Sequence, residues 1–285
     1  MRLVTYQSPS GPRVAGLREG SYVDLNHADG TLPSSLKSLL ALGEAGLARA
    51  RAALAAGPVL DQRPPRLLAP IPDPEKIICI GLNYADHAAE SGAQIPSEPV
   101  VFSKFLTALR GPDDRIVLPR LSSEVDYEAE LVAVIGREGR HIPRDKAGDF
   151  IAGYTCGHDV SARDWQRKKP GGQWLLGKSF DSFAPLGPAL VTADEVGDPG
   201  NLDIQLRLNG QTMQRSNTRQ LIFPVAELVA YISGVCTLKP GDLIYTGTPP
   251  GVGMARKPPV WLKAGDVVEV EVERVGLLRN EVVAE

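Results

Sequence analysis

Histidine, cysteine and aromatic side chains are scarce in this sequence. Its 285 residues include 4 His and 3 Cys, and aromatics make up only 6%. The cysteines, Cys79, Cys156 and Cys236, are far apart, odd in number and set among apolar residues. That excludes a disulfide framework and a zinc site and leaves reduced core thiols. No apolar run approaches the ~20 residues of a membrane-spanning helix, and the first six residues lack a signal-peptide pattern. A long basic tract is also missing, and the net charge is −3. Neither nucleic acid nor an acidic membrane surface is therefore expected as a partner. The expected location is cytoplasmic. An anionic substrate would have to rely on local cations or a metal.

What is present is enough to build a core. The hydrophobic fraction of 43% suits a large globular domain with or without a small appendage. Residues 1–70 read as a small β/α unit. Short strands are expected near 3–6, 13–17 and 22–25, and a Leu/Ala-rich helical stretch from Ser34 to Ala56, capped by Ser34 or Ser35 and broken at Gly43. His27 lies in a polar turn and reads as surface. A proline-rich stretch, 57–74, including Pro64, reads as an extended linker. Residues 71–285 then carry many strand signals, among them 76–81, 100–105, 116–118, 151–159 and 186–191. Further strands are expected at 202–208, before the hairpin turn Asn209-Gly210, at 243–246 and at 267–272, with a main helix at 223–233. The fold class is α+β and β-rich.

One stretch organises the chain. Residues 124–136 begin with carboxylates and end in a β-branched apolar run, which reads as one strand entering a core. A strand rises about 3.3 Å per residue with alternating faces, so Glu128 and Glu130 share a face, roughly 6.6 Å apart at the backbone. Like charges at a core's edge repel and lose hydration, and a bound cation relieves both. A solvated strand end is the bland alternative. Asp159 closes a buried strand and reads either as a third ligand or as a cap. Lys178, in an apolar setting, either meets an anion or snorkels. The loop 246–253 is either a plain turn or a donor of hydroxyls and N–H groups to a carboxylate. His87 and Glu90, at i and i+3 on a short helix after the strand 76–81, can hydrogen-bond. The basic cluster Arg167, Lys168 and Lys169 reads as a solvated face.

Taken together, these segments resemble the fumarylacetoacetate hydrolase superfamily. The likeness runs through 81–87 (Gly-Leu-Asn-Tyr-Ala-Asp-His), 124–131 (Glu-Val-Asp-Tyr-Glu-Ala-Glu-Leu), 158–166 (His-Asp-Val-Ser-Ala-Arg-Asp-Trp-Gln), 173–181 (Gln-Trp-Leu-Leu-Gly-Lys-Ser-Phe-Asp) and 246–253 (Thr-Gly-Thr-Pro-Pro-Gly-Val-Gly). The resemblance implies a mixed β-sandwich roll, a homodimer and a divalent metal on Glu128, Glu130 and Asp159. An all-oxygen ligand set suits Mg²⁺ or Mn²⁺, and Ca²⁺ could substitute. It further implies a catalytic dyad of His87 and Glu90, an electrostatic Lys178, and substrate contacts from Arg163, Gln166 and Thr248. Arg163 can equally hold a structural ion pair. His141 and His158 read as structural. No acid precedes His87 where the namesake hydrolase has a further metal ligand, so a more open site is implied.

The implied substrate is a small 2-oxo acid. Hydrolysis of a C–C bond in an acylpyruvate or fumarylacetoacetate-like compound is the leading expectation. Here Glu90 orients His87, which deprotonates water, and Lys178 stabilises the developing charge. The alternative is oxaloacetate decarboxylation or keto–enol tautomerisation, with no attacking water. A third possibility is a catalytically silent metal-binding relative. The segment 84–96, with Gly92 as hinge, is a lid expectation.

Overall fold

A computed structural model describes residues 1–61 and 65–285. Two sheets dominate it. The larger is mixed and 11-stranded, with Ala129–Ile135 and Ile151–His158 at its centre. On one side follow Leu243–Tyr245, Ile77–Gly81 and the edge strand Val100–Ser103. On the other lie Ala184–Thr192 and then the three N-terminal strands, Arg2–Ser8, Gly11–Arg18 and Ser21–Asp24. The second sheet has five strands, including Asp203–Leu208, Val267–Val272 and Gly276–Ala284. Leu131 and Cys156 of the first sheet share one buried cluster with Leu206, Val268 and Leu278 of the second. The sheets therefore pack as the expected β-sandwich roll.

The sequence pattern of each strand follows from its place. Ala129–Ile135 is buried at all seven positions, and a strand covered on both faces needs an unbroken apolar run. Val267–Val272 is covered on one face only. Val268, Val270 and Val272 point inward, while Glu269 and Glu271 meet Arg207 outside. At Asn209-Gly210 both residues take positive φ, 53° and 78°, the backbone that a tight two-residue hairpin requires.

The N-terminal strands and helices form where the pattern predicts them, with helices Leu36–Ala41 and Gly43–Ala56. Ser35 caps the first through its hydroxyl, and Gly43 separates the two at φ 62°. The linker is less free than its prolines suggest. Leu67–Leu68 pairs with Thr5 and Tyr6, and Val59 bridges Val23; Pro64 lies outside the described residues.

Two expectations are corrected. The expected strand 124–136 is two strands, Val125–Asp126 and Ala129–Ile135. The first leaves the large sheet to pair with Ser161–Ala162, so Tyr127 and Glu128 fall in the break. The run Ser161-Ala162-Arg163-Asp164-Trp165-Gln166 reads as the opening of a short helix, but the helical turn starts later, as a π-type turn at Asp164–Lys168, because Ser161 and Ala162 are held as a strand.

Candidate metal centre and cavity

The site grows from one strand pairing. Glu130 lies opposite Gly157 and Ala129 opposite His158. Asp159, one residue on, donates its backbone N–H to the carbonyl of Glu128 at 3.0 Å. Three carboxylates thus converge: the ligand oxygens of Glu128, Glu130 and Asp159 all lie within 4.8 Å of one another, and all three residues are buried.

Three cations balance them incompletely. Lys178 Nζ donates to Glu128 Oε2 at 2.9 Å, Asp159 Oδ2 at 2.8 Å and Ser161 Oγ at 2.7 Å. Arg163 donates from Nε to Asp126, from Nη1 to Gln166 and from Nη2 to Glu128. Lys104 Nζ stands 2.6 Å from Asp159 Oδ1. Its three protons, however, go to the backbone carbonyls of Val160, Lys178 and Phe183. Asp159 Oδ1 therefore has a cation beside it but, among the described residues, no hydrogen-bond donor in good geometry. Four buried acids, counting Asp126, face three cations.

The titration of these groups reflects that shortfall. Burial alone would raise the Glu128 carboxyl, but Lys178 and Arg163 reverse this and hold it down at about 2. Burial works against the Lys178 charge, yet Asp159 and Glu128 raise the ammonium above its ordinary value. Among the described residues no cation forms an ion pair with Glu130. Burial, then repulsion from Asp159 and Glu128, pushes its carboxyl well above the usual range against a 2.7 Å bond from Gly247 N–H and the more distant Lys178 charge. Three converging buried carboxylates, one of them left without an ion-pair partner, are what a missing cation leaves behind. The donor set is all oxygen, so the residues fit a hard divalent ion on Glu128, Glu130 and Asp159.

Glu128, Arg163, Gln166, Lys178 and Thr248 line a cavity of about 490 Å³, a size common for small-ligand sites. Arg can only donate, so its bond to Gln166 fixes the amide oxygen inward and leaves the NH₂ for another acceptor. The Thr248 hydroxyl donates to Ala129 O and accepts from Gln214. Each nitrogen of the Arg163 guanidinium donates to a protein group, in line with its structural alternative.

The dyad stands apart from this cluster. His87 and Glu90 lie on the short helix Ala85–Ser91, with His87 Nδ1 3.1 Å from Glu90 Oε2. Glu90 also accepts Gly251 N–H. Leu82 and Ala93, before and after the helix, line the cavity, whereas His87 does not. His141 is exposed. His158 is buried and neutral, its imidazole pushed down to about 3 by burial and then by Lys104.

Sequence reasoning missed three contributors. Asp126 was seen only as part of the acidic run; it accepts Arg163 and the N–H groups of Gly253 and Met254. Lys104 was read only as a strand residue. Arg167, assigned to a solvated face, lines the cavity. The loop 246–253 does offer N–H groups to carboxylates, but these are the protein's own: Glu130, Glu90 and Asp126. A Cβ at Gly253 would come within 1.9 Å of Val260 O, so only glycine lets this loop close over Asp126.

Comparison with known proteins follows the same outline. The family model described as fumarylacetoacetate (FAA) hydrolase, C-terminal, matches residues 76–283. A Xenopus laevis protein named oxaloacetate tautomerase fahd2, mitochondrial, is 51% identical over 288 residues, covering 99% of this chain and 90% of that protein. A fumarylacetoacetate hydrolase from Exiguobacterium antarcticum superposes with a TM-score of 0.87 at 34% identity, covering 100% of both chains. Maleylpyruvate hydrolase from Sphingobium sp. SYK-6, in complex with manganese(II) and pyruvate, superposes at 0.84 with 32% identity, covering 100% of this chain and 99% of that one.

Proposed function

This chain belongs to the fumarylacetoacetate hydrolase family, and from that premise we propose that it interconverts the keto and enol forms of oxaloacetate or a closely similar 2-oxo dicarboxylate. One observation carries the reading. A buried acidic triad stands beside a small cation-lined cavity, in a chain half identical, along 99% of its length, to a protein named for that reaction. The hydrolysis expected first from the sequence becomes the second reading. It is favoured by the likeness to a maleylpyruvate hydrolase seen with manganese(II) and pyruvate.

The residues are assigned as follows. Glu128, Glu130 and Asp159 hold one divalent ion, Mg²⁺ or Mn²⁺. When bound, it supplies Lewis acidity that makes the C3–H bond of a 2-oxo acid easier to ionise. It also turns the charge shortfall of the buried cluster into a surplus of one positive charge, which suits an anionic substrate. Lys178, anchored between Glu128 and Asp159, stabilises negative charge growing on the substrate oxygen. Glu90 holds the proton of His87 on Nδ1 and so prepares the ring to move a proton at C3. Gln166 offers its NH₂ to the substrate, Thr248 shapes the loop wall, and Arg163 fixes Glu128 and Gln166.

Because His87 does not line the cavity, the reading also needs segment 84–96 to close as a lid, with Gly92 at φ 63° as its hinge. Limited proteolysis should cut this segment more slowly with oxalate bound, and equal rates would count against closure. The division at about residue 70 is proposed as well, supported by a family match that begins at 76. The half-exposed Val100 and Val101 on an edge strand support a homodimer. The expected cytoplasmic location has the mitochondrial name of the Xenopus protein against it. Among the described residues no helix is long and apolar enough to cross a membrane.

The deciding assay follows enol absorbance of oxaloacetate together with pyruvate release from oxaloacetate and from acetylpyruvate. Metal-dependent tautomerisation without matching pyruvate release supports the reading. Pyruvate release from acetylpyruvate that outruns tautomerisation would replace it with hydrolysis.

A further inference from the structure

Three cationic side chains line the cavity, Arg163, Arg167 and Lys178, and they differ in what they have left to give. The Lys178 ammonium donates to three protein oxygens. Arg163 uses Nε, Nη1 and Nη2 on Asp126, Gln166 and Glu128. Arg167 Nη1 reaches only Met254 Sδ, at 3.7 Å, a weak acceptor. Among the described residues no carboxylate lies within ion-pair distance of it. The next two cations are engaged elsewhere: Lys168 pairs with Glu124, and Lys169 stacks over the Trp165 ring at 4.9 Å. Met254 also lines the cavity, so its contact places the Arg167 guanidinium at the cavity wall.

We propose that Arg167 receives the distal carboxylate of a C4 dicarboxylate and thereby makes this cavity select dianionic over monoanionic 2-oxo acids. The inference rests on the reading of the cavity as a 2-oxo-acid site and names the substrate class that site prefers. A 2-oxo acid that turns its C1 carboxylate and keto oxygen toward the acidic triad carries any second carboxylate at its far end. In a small, partly dry cavity that charge loses hydration and needs a cation with donors to spare. The guanidinium fork matches a carboxylate with two parallel N–H bonds. Because Arg167 is exposed, water shares the contact, and its effect falls on discrimination more than on turnover.

Two measurements on the full, metal-loaded chain test this. In the first, tautomerisation of oxaloacetate is compared with that of its 4-methyl ester, which keeps the reacting end and removes the distal charge. Arg167→Gln should cut the oxaloacetate-to-ester ratio of kcat/KM by about tenfold, mainly through KM, and Arg167→Lys should restore part of it. In the second, binding of malate is compared with that of lactate, which shares its 2-hydroxy-acid end but lacks the second carboxylate. Malate should bind more tightly, and Arg167→Gln should erase the difference. If neither oxaloacetate nor its ester is turned over, yet the malate preference depends on Arg167, the inference stands and the tautomerase reading falls. If oxaloacetate is turned over while both ratios persist in Arg167→Gln, the inference is overturned and the function is untouched.

Discussion

The buried acid–ammonium cluster and the His87–Glu90 pair hold similar chemical groups in opposite ways. In the cluster, each cation has its donors fixed on oxygens from several parts of the chain. Lys104 alone ties Val160, Lys178 and Phe183. The sheet pairing sets the acids before any ligand arrives, so charge is stored where water cannot relax it. The dyad sits on a seven-residue helix, its Glu90 partly exposed and steadied by one loop N–H. A rigid half can hold a cation at fixed spacing, and a half carried on a short helix is the one the lid proposal would move. On the proposed reading, binding belongs to the first and proton movement to the second.

The largest expected effect would break the rigid half. Lys104→Met removes the ammonium beside Asp159 and takes a donor away from the carbonyls of Val160, Lys178 and Phe183. Unfolding free energy should fall by about 3–5 kcal/mol, the cost of stranding a buried charge. Chemical denaturation measures this, and a loss below 1 kcal/mol would mean that the clamp does not organise the site. Next comes Glu130→Gln, which keeps shape but removes charge. Metal affinity, followed by titration calorimetry, should drop sharply, and metal-dependent tautomerisation should fall on the order of 10³-fold. Wild-type metal binding in this variant would remove Glu130 from the ligand set.

The other two act on the helix-borne half. His87→Ala should lower tautomerisation by about 10²-fold with metal affinity unaltered, which is the sharpest test that the halves are separable. Oxaloacetate decarboxylation, which needs chiefly an electron sink, should survive it. A parallel loss of metal binding would show that the dyad supports the cluster after all. The smallest effect is on stability: Glu90→Gln should cost only a few tenths of a kcal/mol in thermal unfolding, as for a helix-surface pair. A cost of 2 kcal/mol or more would place Glu90 in the rigid half.

The sequence made this division legible in part. Glu128, Glu130 and Asp159 stood out because carboxylates next to apolar β-branched runs are costly without partners, and the cost is visible one residue at a time. Lys104 and Asp126 did not, because their meaning lies in partners distant in sequence. A lysine in an apolar strand and an aspartate in an acidic run look ordinary until pairing brings Val160 and Arg163 to them. The break at Tyr127 and Glu128 escaped for a related reason. Alternation predicts a strand, but which sheet Val125–Asp126 joins depends on Ser161–Ala162. Arg167 was lost among its neighbours, since three adjacent charges read alike and only the fold separates the one facing the cavity.

The N-terminal strands carry a consequence for any attempt to trim the chain. Arg2–Ser8 lies against Ala184–Thr192, with Arg2 opposite Val191 and Leu3 opposite Leu190. The next strand inward is Ile151–His158, which runs into Asp159. Deleting the first seventy residues would bare the Leu190–Val191 end of an apolar strand, whose N–H and C=O groups would then face solvent or another molecule. Self-association of the shortened protein, rather than loss of chemistry, is the first hazard of cutting there. These strands act as a selvedge that keeps the large sheet from fraying into its neighbours.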